Sequence, residues 1–294
     1  MICIEQLTGL EILDSRGRPT VQATCRLAEG AAASASVPSG ASTGGAEAIE
    51  LRDGDARRYR GLGCRLAVAN IRHALHPALA GREFADQSQL DHAMLKLDGT
   101  PNKSKLGANA ILAVSLAVAR ATARHRGVPL YQHFAEMLGV PLRTLPRPTI
   151  NLFSGGKHAG LQVPIQDLLV VPVTAKTMDD ALAMTFAVYY AAADLCLKKY
   201  GMRLLRADEG GQAPPFSNAE HMLTDAVAAI EAAGYRPGKD VALAVDVASS
   251  HFFHEGHYHL DGARLDSRGM IELLDRWCMQ YPIVSVEDGL AEDD

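Results

Sequence analysis

VALAVD at Val241–Asp246 and IVSVE at Ile283–Glu287 are the two stretches on which the reading of this chain turns. Each is a short apolar run rich in β-branched residues, which reads as a strand, and each ends on a carboxylate. Residues 269–280 between them read as a helix. Strand, helix and strand in succession predict a parallel sheet or a β/α barrel, and in a barrel the C-terminal ends of the strands form the catalytic face. Asp246 and Glu287 would both emerge there, as oxygen ligands suited to a hard cation such as Mg²⁺. Acids at strand ends also cap helices or solvate turns, so both readings stay open for this pair.

Working outward, residues 166–173 read as a strand, and 177–200 and 218–233 as helices, with the glycine-rich turn ADEGGQAPP between the two helices. This region begins near Pro141, where PLRTLPRPTINLFSGG combines three prolines with an apolar run closed by a glycine pair. The domain boundary is placed there. Residues 1 to about 62 alternate short strand-like runs, such as 19–23, with turns. Helical patterning follows, including an Ala-rich stretch at 105–125 that Gly127 and Pro129 stop. The expected fold class is therefore α/β, with a small α+β N-terminal domain over 1–140 and a strand–helix region over 141–294.

The chain has 294 residues, 48% hydrophobic and 21% charged, enough apolar content for a sizeable core and a soluble globular protein. Its net charge of −5 is too slight and of the wrong sign for a general nucleic-acid binder. The apolar stretch 106–119 is broken by Asn109 and Ser115 and falls short of the roughly 20 residues of a membrane span. The N-terminus, MICIEQLTGLEILDSRG, lacks a basic segment followed by an apolar core and a cleavage site, so cytoplasmic residence is expected. Five cysteines without a CxxC pair read as reduced thiols.

Three further sites carry chemistry-bearing groups. Glu209, between Asp208 and the Gly210–Gly211 pair, sits on a loop able to present a carboxyl to a pocket, or else forms a solvated acidic turn. Lys157 and His158 follow Gly155 and Gly156 in a segment that could supply cationic donors to an anion, although a single loop histidine is more often inert. In SGASTG at 39–44, small residues allow the backbone and Ser39 to approach a phosphate or metal, while a hairpin turn is the plainer alternative. The segment has neither the Gly-Lys-Ser/Thr of a phosphate-binding P-loop nor GxGxxG spacing.

Taken together, ILDSRGRPT, VPSGASTGG, ELRDGD, LDGTPNKSKLGANAILAVSLAVA, SGGKHAG, ADEGGQAP, AVDVASS and SVEDGLAEDD resemble the enolase family from one end of the chain to the other. The resemblance implies an N-terminal α+β capping domain and an enolase-type β/α barrel whose second strand runs antiparallel to the rest. Asp167, at the start of that strand, would then share a face with Asp246 and Glu287. It further implies Mg²⁺-dependent reversible dehydration of 2-phosphoglycerate to phosphoenolpyruvate, with two Mg²⁺ ions in the substrate complex. Asp246 and Glu287 would hold the tighter ion and Ser39, on a closing loop, the second. Glu209 would be the general acid, and His158, Gln166, Asp167 and Lys157 would line the pocket of a small anionic phospho-acid. A homodimer is implied, with a cell-surface or secreted pool as a secondary location.

Departures from the family pattern qualify that reading. Lys157 replaces a usual serine, Asp167 a glutamate and Gln212 a phenylalanine. A carboxylate moved by roughly 1 Å can cost on the order of 100-fold in rate. Residues 141–294 also fall well short of the roughly 250 of a β/α barrel. They read as its first part, the proton-abstracting lysine and third metal ligand lying in a longer parent that carries the activity. Two alternatives stand beside this reading: a lyase for another phosphorylated or phosphonylated acid, and an inactive remnant or interaction module.

Overall fold

The computed structural model describes residues 1–40, 43–201 and 205–294, which form two compact units, Met1–Thr144 and Leu145–Asp294. In the first, β1 (Ile2–Leu13), β2 (Pro19–Leu27), β3 (Ala32–Ser36) and the short β4 (Glu83–Phe84) form an antiparallel sheet in the order β3-β2-β1-β4. The Asp14 carboxylate accepts from the backbone N–H groups of Arg16 and Arg18, both at 2.8 Å, and so closes the β1–β2 turn. Helices α1 (Arg65–Asn70), α2 (His76–Leu79), α3 (Gln87–Asp98), α4 (Ala108–His125) and α5 (Leu130–Leu138) complete the unit.

The Ala-rich α4 packs on β2 and β3. Ala110, Ala113, Ala117 and Ala121 are fully buried, and their small side chains let helix and sheet approach closely. The helix starts three residues later than the expected 105 because Gly107 has φ 92°, outside helical space, and a Cβ there would lie 2.6 Å from the Leu51 side chain. Asn109 fixes this start by exchanging hydrogen bonds with the Leu51 backbone.

The second unit holds β5 (Ile150–Ser154), β6 (Asp167–Pro172), α6 (Met178–Tyr200), α7 (Ala219–Ala232), β7 (Val241–Asp246), a small sheet of β8 (Phe253–His254), β9 (His257–Leu260) and β10 (Ala263–Leu265), then α8 (Ser267–Gln280) and β11 (Ile283–Glu287). The main sheet runs β11-β7-β6-β5, with β6 antiparallel to both neighbours and β7 parallel to β11. The second strand is thus the reversed one, as the resemblance implies. Strand alternation sorts the residues of β6 and β7 into two layers. Leu168, Val170, Leu243 and Val245 join the large core with residues of α6, α7 and α8, whereas Val171, Ala242 and Ala244 form a separate small cluster on the opposite face.

Helix α6 begins at a capping box: Thr177 Oγ1 accepts from the Asp180 N–H at 3.0 Å, and the Asp180 carboxylate accepts from the Thr177 N–H at 3.2 Å. Thr177→Ala is expected to cost about 1 kcal/mol, read as a lower denaturation midpoint with an unchanged m-value. An unaltered midpoint would show that the box contributes nothing. This 23-residue helix is the one among the described residues long and apolar enough to cross a bilayer, a property the stretch at 106–119 does not have. Its buried residues Ala181, Met184, Val188, Ala192 and Cys196 fall on one stripe that faces the core, the pattern of a helix packed on a sheet. At its C-terminal end Lys199 pairs at 2.6 Å with the buried Asp225, which also accepts from the Tyr200 hydroxyl.

Candidate active site

Strand register sets out the site. Ser154 lies opposite Asp167, Asp167 opposite Asp246, and Asp246 opposite Glu287, so four oxygen-bearing side chains form one row across β5, β6, β7 and β11. Asp167 and Asp246 belong to the face of Ala242, Ala244 and Val171 by simple alternation. Glu287 reaches it only because β11 carries a bulge. Ile283 pairs with the core-facing Leu243, but Ser285 pairs with Ala244, so the extra residue, Val284, turns the rest of the strand over. A second bulge between Asn151 and Phe153 brings Ser154 into the same row.

Beyond β5 the chain turns through Gly155, where a Cβ would sit 2.4 Å from the Ile165 carbonyl oxygen, so only glycine fits. The turn returns His158 to the row, and its Nδ1 lies 2.8 Å from Asp167 Oδ2. Ser154 Oγ donates to the other Asp167 oxygen at 2.5 Å. The Glu209 loop is laid along β5 by backbone hydrogen bonds that Gln212 exchanges with Leu152 and Ser154 and by the Tyr189 hydroxyl donating to the Gly210 carbonyl at 2.6 Å. Gly211 permits the approach, since a Cβ there would meet Ser154 Oγ at 2.3 Å. Glu209 Oε1 then stands 3.8 Å from His158 Nε2. Ligand atoms of His158, Asp167 and Glu209 all lie within 4.8 Å of one another.

Burial and like charge raise the pKa values of Asp167, Asp246 and Glu287. Burial lifts Asp167 to about 6, against the hydrogen bonds from Ser154 and His158. Burial is also the main cause raising Asp246, followed among the raising causes by the charge of Asp288, while Gln166 opposes them. For Glu287 the first cause is the charge of Asp246, then burial and Asp288. Gln166 Nε2 donates to Asp246 Oδ2 at 3.0 Å, leaving Asp246 Oδ1 and Gln166 Oε1 buried without a partner. Two orphaned oxygens beside mutually repelling carboxyls are a donor set that a hard divalent cation satisfies, so the residues fit Mg²⁺.

His158, Gln166, Asp167, Glu209, Asp246 and Glu287 are thus gathered at one end of the sheet, and Lys157 is exposed on the turn beside them. Ser39 belongs to the first unit, where its hydroxyl donates to Glu50 at 3.0 Å and accepts from Arg52 at 2.9 Å, while Arg16 donates to its carbonyl. Of the SGASTG loop, Ala41 and Ser42 lie outside the described residues. Gln212 has a structural role: fully buried, it donates from Nε2 to the Tyr189 carbonyl at 2.8 Å. Three groups escaped sequence reasoning. Ser154 is visible only through register, and Asp288 only as the residue after Glu287. His251, whose pKa is lowered first by burial and then by Lys157, is legible only as a histidine five residues beyond Asp246.

A small antiparallel-sheet unit and a barrel-type sheet with carboxyls gathered at strand ends define the class of β/α enzymes whose chemistry sits at that end. Models of the enolase N-terminal domain and of the enolase C-terminal TIM barrel domain match residues 4–134 and 142–294, respectively. The chain belongs to the enolase family, a family of lyases that typically binds Mg²⁺.

Proposed function

We propose that this chain serves the Mg²⁺-dependent reversible dehydration of 2-phosphoglycerate to phosphoenolpyruvate. The observation that carries the reading is the row Ser154, Asp167, Asp246 and Glu287 with the orphaned oxygens of Asp246 and its neighbour Gln166. Asp246 and Glu287 would hold the tighter Mg²⁺. A cation bound there would supply Lewis-acid stabilisation of the negative charge that builds up when a proton leaves the carbon next to a carboxylate. Glu209 donates a proton to the departing C3 hydroxyl. His158, held through Nδ1 by Asp167, lines the substrate pocket with Gln166, which donates to Asp246, and the Lys157 ammonium faces the anionic substrate. The same reading includes a homodimer and cytoplasmic residence.

Mixing the full-length protein with 2-phosphoglycerate and Mg²⁺ and following the absorbance of the enol product tests this directly. Product accumulation supports it. An inert 2-phosphoglycerate together with turnover of a phosphonate analogue would replace it by the second reading, which the exposed Lys157 cation favours.

Acid should loosen the metal. Ligation needs both carboxylates ionised, and their pKa values are raised in the folded chain, so Mg²⁺ affinity falls as pH drops through that raised range. The metal-free fold behaves in the opposite way. The contribution of a group with a raised pKa is complete below the ordinary carboxylate value near 4 and is lost as pH rises through the folded value. Calorimetric titration with Mg²⁺ between pH 5 and 8 checks the first trend; affinity independent of pH would remove Asp246 and Glu287 from the ligand set.

A further inference from the structure

We propose that the outward face of the β8–β9 hairpin is a transition-metal site formed by His254, His257 and His259, separate from the carboxylate row. The stretch HFFHEGHYHL at 251–260 places a histidine at every outward position of a two-stranded ribbon. Phe253 pairs with Tyr258 and His254 with His257. Tyr258 and Leu260 are buried, so alternation sends His257 and His259 to the opposite face, where His254 and His259 are exposed.

The hairpin closes on a two-residue turn. Its two turn residues, Glu255 and Gly256, have φ of 51° and 74°, the positive values of the tight turn that matches strand twist. Directly opposed residues on such a ribbon have Cβ atoms about 5 Å apart, and diagonal ones lie at about 7–8 Å, within reach of long side chains. The His254 and His259 rings are already 6.2 Å apart between centroids, with 34° between their planes. The three imidazoles do not yet converge, since their ligand atoms do not all lie within 4.8 Å of one another, so binding requires the side chains to rotate toward the roughly 2.0–2.1 Å at which imidazole nitrogens bind zinc.

His257 is prepared for this role. Its Nδ1 lies 3.0 Å from the Glu255 carbonyl oxygen, and donation to that oxygen leaves Nε2 free with its lone pair outward, the usual arrangement of a metal-binding histidine. One competitor is present: Arg264, opposite His259 on β10, brings Nη2 to 3.1 Å from the same Nδ1. The guanidinium can only donate, so it favours the tautomer that blocks Nε2. Imidazole donors select Zn²⁺, Ni²⁺ or Cu²⁺ over Mg²⁺, which separates this site chemically from the oxygen ligands of the active site.

The test is titration of the full-length protein with Ni²⁺ in excess Mg²⁺, reading both affinity and the amide NMR signals broadened by the paramagnetic ion. Broadening is expected to centre on residues 254–260. Affinity should fall at least about tenfold in His254→Gln/His257→Gln/His259→Gln and rise in Arg264→Ala. Activity with Mg²⁺ should be unchanged in all of them. Retention of full Ni²⁺ affinity by the triple variant, or broadening in the unmutated protein centred on His158 and Asp167 instead, would overturn the proposal, and the second readout does not depend on any variant folding.

Discussion

Glu209→Gln is expected to lower kcat in the proposed dehydration of 2-phosphoglycerate by about 10²–10⁴-fold and to leave Mg²⁺ affinity unchanged. That is the range by which a positioned general acid accelerates a proton transfer. The substitution keeps the shape of the side chain and removes only the transferable proton. Glu209 is half-exposed, 44% by side chain, and its loop is anchored through Gly210, Gly211 and Gln212, so the fold does not depend on the carboxyl itself. Its nearest site partner is His158 Nε2, an orphaned buried nitrogen 3.8 Å away, itself held through Nδ1 by Asp167. Steady-state kinetics decide the matter. A change confined to KM would make Glu209 a binding group, and an unchanged kcat would assign the proton to another residue.

Asp246→Asn is expected to abolish the stabilisation by Mg²⁺ that the proposed site implies and at the same time to make the metal-free fold more stable. Asp246 and Glu287 are cross-strand neighbours, and the charge of Asp246 is the largest cause raising the pKa of Glu287. Removing one of two facing like charges relieves about 0.2–1 kcal/mol. The asparagine oxygen still accepts from Gln166, so no new buried group is orphaned on that side. A ligand at 100 times its Kd stabilises the state that binds it by about 2.7 kcal/mol, which far exceeds the relief of repulsion. Thermal melts with and without Mg²⁺ should therefore cross over: the variant melts higher when metal-free and lower when the metal is saturating for the original protein. An equal upward shift by Mg²⁺ in both proteins would place the ion elsewhere. The pattern is that of a site kept electrostatically strained until its cation arrives.

The pairing of those two acids shows where sequence patterning stops. That VALAVD and IVSVE end as neighbouring strands with acids at one end follows from runs too short and too β-branched for helices, separated by a helical stretch. The boundaries of α6 and α7 follow equally from their capping residues, Thr177 and Asn218, because a side-chain cap is a local interaction. Asp246, Glu287 and Glu209 stand out in the sequence individually for the same reason, since each adjoins a local feature, a short apolar run for the first two and a glycine pair for the third. Lys157 and Gln212 show the limit from the other side, since only packing distinguishes an exposed cation from a fully buried amide that serves its own backbone.

Chain order by itself thus determined the elements, their alternation and the acids at their ends, all consequences of local propensity and of periodicity over a few residues. Tertiary structure alone decided the row. Simple alternation places Ile283, Ser285 and Glu287 on one face, and only the bulge at Val284, formed in pairing with β7, sends Ile283 to the core and Glu287 to Asp246. Ser154 joins through the equivalent slip in β5, and His158 through glycines whose need is set by the Ile165 carbonyl eleven residues away from Ser154. Register is a property of two strands at once, so no reading of either strand separately contains it.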